Sequence, residues 1–266
     1  MDRSILNKNK KEEEKLILSK ILDKISFCET RNQIQVTDFL DLAQKELILK
    51  FLKYQNVENY IFFGGNENAE RVTVIFYPSK LENLIKENKI NFGEWIKVVR
   101  ITLPNENIGK YNHQNYLGAL MKLGIKREKV GDILVDDKGA DILIKTDILK
   151  FVLANLTELT RFQKSKIEEI ELNELRQIEE KKEKFTITVS SNRLDNIVAE
   201  LAKCSRSKAN ELILQEKVLV NYQTITKQTK EIKENDRITI RGKGRFEIKE
   251  KVGNTKKGRI VIEVEK

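Results

Sequence analysis

The sequence is poor in the residues that build reactive or cross-linked centres. Only Cys28 and Cys204 are cysteines among 266 residues. They lie far apart and outside any CxxC pattern, which excludes a disulfide framework and a zinc knuckle and leaves both expected as reduced, buried thiols. His113 is the single histidine and has no cysteine or histidine companion, so neither a metal set nor a nucleophile–base pair is visible. GGNENAER, from Gly64, lacks the Gly-Lys-Ser/Thr end of a nucleotide cradle and reads as a turn; no glycine-rich cofactor loop follows a strand. No apolar run approaches the roughly 20 residues of a membrane span, and MDRSILNKNKKEEEK has no apolar signal core. The expectation is a cytosolic, monomeric protein that uses no cofactor or metal and is not an enzyme.

Positive charge is in surplus. Fifty lysines and arginines face 41 acidic residues, a net +9, with a pI near 9.3. Such a balance favours polyanionic partners through long-range attraction and counterion release, nucleic acid ahead of an anionic membrane surface. With 39% apolar and 34% charged residues and a mean hydropathy of −0.48, the chain is polar yet apolar enough to fold. Its length suits two or three domains.

Periodicity predicts an α+β protein in parts. Leu16, Ile17, Ile21, Leu22 and Ile25 recur at helical spacing behind a charged leader. A second helix is expected over Asp41–Tyr54, with Asp41 as its cap, giving a helical N-terminal subdomain over 1–58. From Asn59 the period changes to that of strands. NYIFF and RVTVIFYP read as a hairpin, with Tyr60, Phe62 and Phe63 more consistent with core than with base-stacking aromatics. Helix Ser79–Asn88, strand Glu94–Leu103, helix His113–Leu123, the hairpin GDILVDDKGADILIKT, helix Asp147–Asn155 and strand Lys166–Leu172 complete an α+β middle domain over 59–172, helices on one face of a mostly antiparallel sheet. Residues 173–184, with a run of alternating charge, read as a solvated linker. The last domain is placed at 185–266.

That last third carries the functional signal. Leu194, Ile197, Val198 and Leu201 share one helical face, and Ala209, Leu212 and Ile213 share another. Both can pack on Val218, Val220, Ile238 and Ile240. Ser205 ends the first helix and can cap the second, making a helix N-terminus flanked by Arg206, Ser207 and Lys208 that suits a phosphate. Asn221-Tyr222 turns the chain, and a strand after Asp236 delivers Arg241, Lys243 and Arg245 beside Gly242 and Gly244. Lys217 adds to the basic set, with Asn210, Gln215 and Asn221 as hydrogen-bonding groups at its edge. Together these residues are expected to surround one surface that recognises folded RNA by shape, phosphate and 2′-OH. Arg193 can touch RNA or pair with Asp195; the cations can also be solvated charges or guard an edge strand.

The pattern RLD, SR-x-x-A, V-x-V-N and D-x-I-x-I-x-G-x-G, spanning about sixty residues, resembles the S4 RNA-binding domain. Glu216 and Tyr222 stand where members commonly carry glycine, so each is expected to alter a turn. HQNYLGALMKLGIKREKVGDILV, TDFLD and the tail GRIVIEVE extend the resemblance over nearly the whole chain, to the bacterial YlmH family. That resemblance implies a ferredoxin-like RNA-binding middle domain, a small C-terminal S4-like domain of two helices on a sheet, and association with the large ribosomal subunit. It further implies contact with subunits still holding peptidyl-tRNA, in quality control of stalled translation, and an older link to cell division. S4 modules also occur in pseudouridine synthases and methyltransferases, usually ahead of a large catalytic domain; here about twenty residues follow the module. A second RNA patch at His113, Lys126, Arg127 and Lys129 stands beside a plain reading as a soluble loop and a helix start.

Overall fold

The computed structural model describes residues 12–87, 89–177 and 183–266. The charged leader, Asn88 at the end of one predicted helix, and most of the charge run after Ile178 lie outside them. The chain divides at Ile178/Glu179 into two compact units.

The first unit begins with α1 (Glu12–Arg31), β1 (Gln35–Val36), α2 (Leu42–Tyr54), β2 (Tyr60–Phe63), β3 (Thr73–Phe76) and a short α3 (Glu82–Lys86). Asp41 starts α2 as expected, accepting from the Gln44 N–H while the Gln44 side chain accepts from the Asp41 N–H. The strands form a sheet in the order β1-β3-β2. Its Val74 and Phe76 share a core with Leu18, Ile21, Leu22, Ile48 and Leu52 of the helices. The hairpin expected to open the middle domain therefore belongs with the N-terminal helices, because each supplies the apolar face that the other must cover.

There follow β4 (Ile96–Thr102), α4 (His113–Lys122), β5 (Val130–Asp136), β6 (Gly139–Lys145), α5 (Leu149–Asn155) and β7 (Lys166–Ile170). This βαββαβ order forms an antiparallel sheet β5-β6-β4-β7, the ferredoxin-like arrangement. Val99 and Ile101 face the helices, packing with Tyr116, Leu120, Val152 and Phe162. Ile96, Val98 and Leu143 face the other way, against Phe39, Phe63 and Leu175. With both faces covered, β6 is buried along its whole length, the charged Asp141 and Lys145 included.

The expected linker is ordered where it is described up to residue 177. Residues Leu172–Glu174 form a turn of 3₁₀ helix, Leu175 joins the sheet core, and Arg176 reaches Asp136 at 2.6 Å and the fully buried Asp141 at 3.2 Å. Arg100 clamps the same Asp141 with two hydrogen bonds of 2.8 and 2.7 Å. Charge here is a fastening, not a solvated spacer.

The second unit holds β8 (Lys184–Val189), α6 (Leu194–Ala202), α7 (Arg206–Leu214), β9 (Val218–Val220), β10 (Gln223–Thr224), β11 (Arg237–Ile240), β12 (Gly244–Asn254) and β13 (Ile260–Glu265). Its sheet is larger than expected, six strands in the order β10-β9-β11-β12-β13-β8. Leu194, Ile197, Val198, Ala209 and Ile213 pack on Val218, Val220, Ile238 and Ile240 in one core. Each fully buried aliphatic side chain contributes about 1.5–3 kcal/mol, which holds two nine-residue helices too short to persist alone. Cys28 is buried, whereas Cys204, expected buried, is half-buried at the edge of this core. Among the described residues, no helix is long and apolar enough to cross a membrane.

Candidate nucleic-acid interface

Charge is unevenly divided along the chain. Residues 183–266 carry 19 lysines and arginines against 12 acidic residues, net +7, leaving +2 for the 182 residues before them. The basic surplus thus sits on the second unit.

Its two arginines nearest the helix start are gathered by one carboxylate. Asp195 is 1% exposed and accepts from Arg193 at 3.1 and 2.9 Å, from the Asn196 N–H at 3.0 Å and from Arg206 at 2.9 Å. Burial works to raise the Asp195 carboxyl, but the hydrogen bonds and charges of Arg193 and Arg206 outweigh it and hold it below the usual range. Two guanidiniums on one carboxylate leave a net positive charge, and the side chains of both arginines stay about half exposed, at 41% and 52%. The carboxylate that could have cancelled these arginines instead fixes their direction, and orienting an exposed guanidinium beforehand removes part of the entropy cost of gripping a phosphate.

Ser205 caps α7 as expected, accepting from the Lys208 N–H at 3.2 Å. Lys208 itself pairs with Glu211 at 2.6 Å on the exposed face, a solvated pair that a polyanion can displace. Ser207 is exposed in the same turn.

A second basic group lies at the other end of α7, one helix length or about 13 Å away. The Arg241 N–H donates to the Lys217 carbonyl at 2.9 Å, setting those residues side by side. Arg241, Lys243, Gln215 and Lys217 are exposed there; Arg245, also exposed, does not share that surface, because it alternates with the core residue Phe246 and stands on the sheet face away from the helices. Gly242, at φ +80°, forms the turn between β11 and β12, and a Cβ there would meet nothing within 4 Å. Backbone conformation, not crowding, calls for glycine.

Three expectations change. Asn221 is occupied within the fold, donating to Asp236 at 2.7 Å and accepting from the Arg237 N–H at 2.9 Å, so it fastens β9 to β11. Asn210 is half-buried, and its side-chain oxygen is enclosed without a hydrogen-bond partner. Glu216 and Tyr222 do not alter their turns: both adopt the left-handed backbone that glycine takes readily, at φ +56° and +63°, a conformation that costs roughly 1–2 kcal/mol for a residue with a Cβ.

The second patch is not assembled as one free surface. Arg127 turns inward to the Val130 carbonyl at 2.6 Å, and burial pushes its guanidinium down to about 10. Lys129 bridges Asp38 and Asp147 at 2.8 and 2.7 Å. Lys126 and His113 are exposed, but α4 is capped by Asn112, with Asn115 closing the box, and not by His113. Although the residue is exposed as a whole, partial desolvation of the ring by the surrounding protein, followed by the nearby Arg127 charge, holds the His113 imidazole below its ordinary value. Arg71, which the sequence did not single out, donates to the carbonyls of Phe39, Arg127 and Val130 at 3.1, 3.3 and 2.9 Å and joins the two sheets of the first unit.

Comparison with known proteins agrees with this arrangement. A family model described as "Putative RNA-binding domain in YlmH" matches residues 92–174, the ferredoxin-like part, and the S4 domain model matches residues 192–238. A protein of Bacillus subtilis (strain 168) named "Ribosome-associated protein quality control protein P2" is 30% identical over 247 residues, covering 93% of each chain. The chain belongs to the YlmH family. A solved structure, "Cell division protein ylmH from Streptococcus pneumoniae", aligns at 22% identity with a TM-score of 0.48, over 64% of this chain and 98% of that one. Membership accounts for the order of parts: a YlmH-type RNA-binding domain first, an S4 domain after it.

Proposed function

We propose that this YlmH-family protein is a non-catalytic RNA-binding factor that docks its S4 unit on structured ribosomal RNA. The carrying observation is the Arg193–Asp195–Arg206 cluster on a unit of net +7, inside the S4 match. Counterion release from such a surface supplies affinity, and oriented guanidiniums supply register on the backbone. The name of the Bacillus subtilis relative supports placing this RNA on the ribosome, in quality control of translation. Within that reading, the large subunit with peptidyl-tRNA is the target, and the ferredoxin-like domain adds a second, weaker contact. Two modest sites on one chain gain affinity through effective concentration.

The test is co-sedimentation of the full chain with ribosomal subunits over a range of salt. The double variant Arg206→Ala/Lys208→Ala leaves Arg193 to balance Asp195. It should bind more weakly, with a log–log salt slope shallower by about 2. Unchanged binding and slope would remove α7 from the interface. Mapping protein–RNA crosslinks in cells then names the RNA element, and crosslinks confined to messenger RNA would overturn the ribosomal assignment.

A further inference from the structure

The turn joining β9 to β10 is Asn221-Tyr222, and both residues have left-handed φ, +48° and +63°. A two-residue hairpin favours such values, and asparagine and glycine adopt them readily; a tyrosine there sets its Cβ against the backbone. Among the described residues, four of the seven non-glycine residues with left-handed φ are asparagine, and Lys203 and Glu216 follow helix ends. Tyr222 is the one aromatic. An unfavourable backbone that the surroundings hold in place points toward function.

Those surroundings are cationic. The Tyr222 hydroxyl accepts a 2.7 Å hydrogen bond from Arg237, whose Nε is held by Glu247 at 3.2 Å. The guanidinium of Arg245 lies over the ring, 5.7 Å from its centroid. In the register of β11 and β12, Arg237 opposes Glu247 and Thr239 opposes Arg245, while the alternate residues Ile238, Ile240 and Phe246 enter the core. Arg237 and Arg245 therefore stand on the sheet face turned away from the helices. Tyr222, half-buried, joins them there and takes no part in the core. Hydrophobic packing does not explain the ring.

A ring and a guanidinium plane are the side-chain surfaces on which an unpaired base stacks, and the cations beside them attract the adjoining phosphates. We propose that Tyr222 and Arg245 form a stacking platform for one unpaired base of the bound RNA, with Arg237 as the positioning residue that holds the ring by its hydroxyl. The inference rests on the RNA-binding reading of the S4 unit and sharpens it. The preferred ligand is a stem carrying a bulged or flipped-out nucleotide, not a continuous duplex.

The full chain is titrated against two RNA hairpins with a common stem, one fully paired and one carrying a single bulged 2-aminopurine. The bulged hairpin should bind about tenfold tighter, with 2-aminopurine emission quenched on binding. Tyr222→Gly, which relieves the turn, should keep binding to the paired stem and lose both the preference and the quench. Tyr222→Phe, which keeps the ring, should retain most of the preference. Equal affinity of the unaltered protein for both hairpins, or a preference surviving in Tyr222→Gly, overturns the platform and leaves RNA binding by the S4 unit standing. Failure to bind either hairpin at low salt overturns both.

Discussion

In the first unit, Arg71, Arg100, Arg127 and Arg176 point inward to backbone carbonyls and buried carboxylates. In the second, Arg193, Arg206 and Arg245 keep their heads at the surface while neighbours fix where they point. The contrast between Asp141 and Asp195 explains how. Asp141 is wholly buried and draws its two arginines in from different segments. Asp195 is nearly as buried, but its two arginines come from the exposed starts of neighbouring helices and remain half in water. An arginine count does not mark an interface; the side from which a carboxylate is approached does.

The largest effect should come from Asp141→Ala. It leaves Arg176 with Asp136 and Arg100 with the Glu174 carbonyl as their remaining partners, and breaking a buried pair costs up to about 3–5 kcal/mol. The urea midpoint of the first unit should fall accordingly, with no change in the salt slope of RNA binding. A loss below about 1 kcal/mol would show that the network is effectively solvated and that the contrast with Asp195 is false.

The two units should also respond oppositely to acid. Burial pushes the Asp132 carboxyl up to about 6, against backbone N–H donors from Glu70 and Arg71. The folded state then holds that proton more tightly than the unfolded one, so this group's contribution is fully present at low pH. It is lost as pH rises from about 4 through 6, on the order of 3 kcal/mol in all. Asp195 is shifted downward. Its contribution is present above the unfolded value near 4 and is lost as pH falls through its folded value. Hydrogen exchange resolved by unit should show the two slopes, flattened by Asp132→Asn in one unit and Asp195→Asn in the other. Parallel slopes would mean that the carboxylates share one kind of environment.

Ser205→Ala should cost about 1 kcal/mol in the second unit alone, the usual worth of a helix cap, read as a small drop in its thermal midpoint. The smallest effect is expected from Glu211→Gln, which releases Lys208 from an exposed pair. Stability should hold while RNA binding at low salt strengthens slightly; no gain would place Lys208 off the RNA.

Local pattern revealed much of this architecture, because amphipathic helices and alternating strands announce themselves within a dozen residues. It also disclosed the cap at Ser205 and the basic turn at Gly242. What it missed depends on distant partners. Lys129 meets Asp38 across 91 positions, so its charge looked available. Arg176 meets Asp136 across 40, so its segment looked like a linker. Asn221 meets Asp236 across a turn and a loop. Strand β8 was a different kind of miss. Phe185, Ile187 and Val189 alternate with polar residues, and that signal was readable beside the charge run. The two-residue β1 carries too little pattern for periodicity to detect.

Strand β13 lies between β12 and β8, and the Glu183 and Lys266 backbones exchange hydrogen bonds of 3.2 and 2.9 Å. The polypeptide therefore enters and leaves the S4 unit through adjacent doors. Among the described residues β13 is the one neighbour of β8 in the sheet, so removing Ile260–Glu265 would strip β8 of its pairing and open the long flank of β12, damage far out of proportion to six residues. Conversely, a cut just before Glu183 crosses no ladder of that sheet.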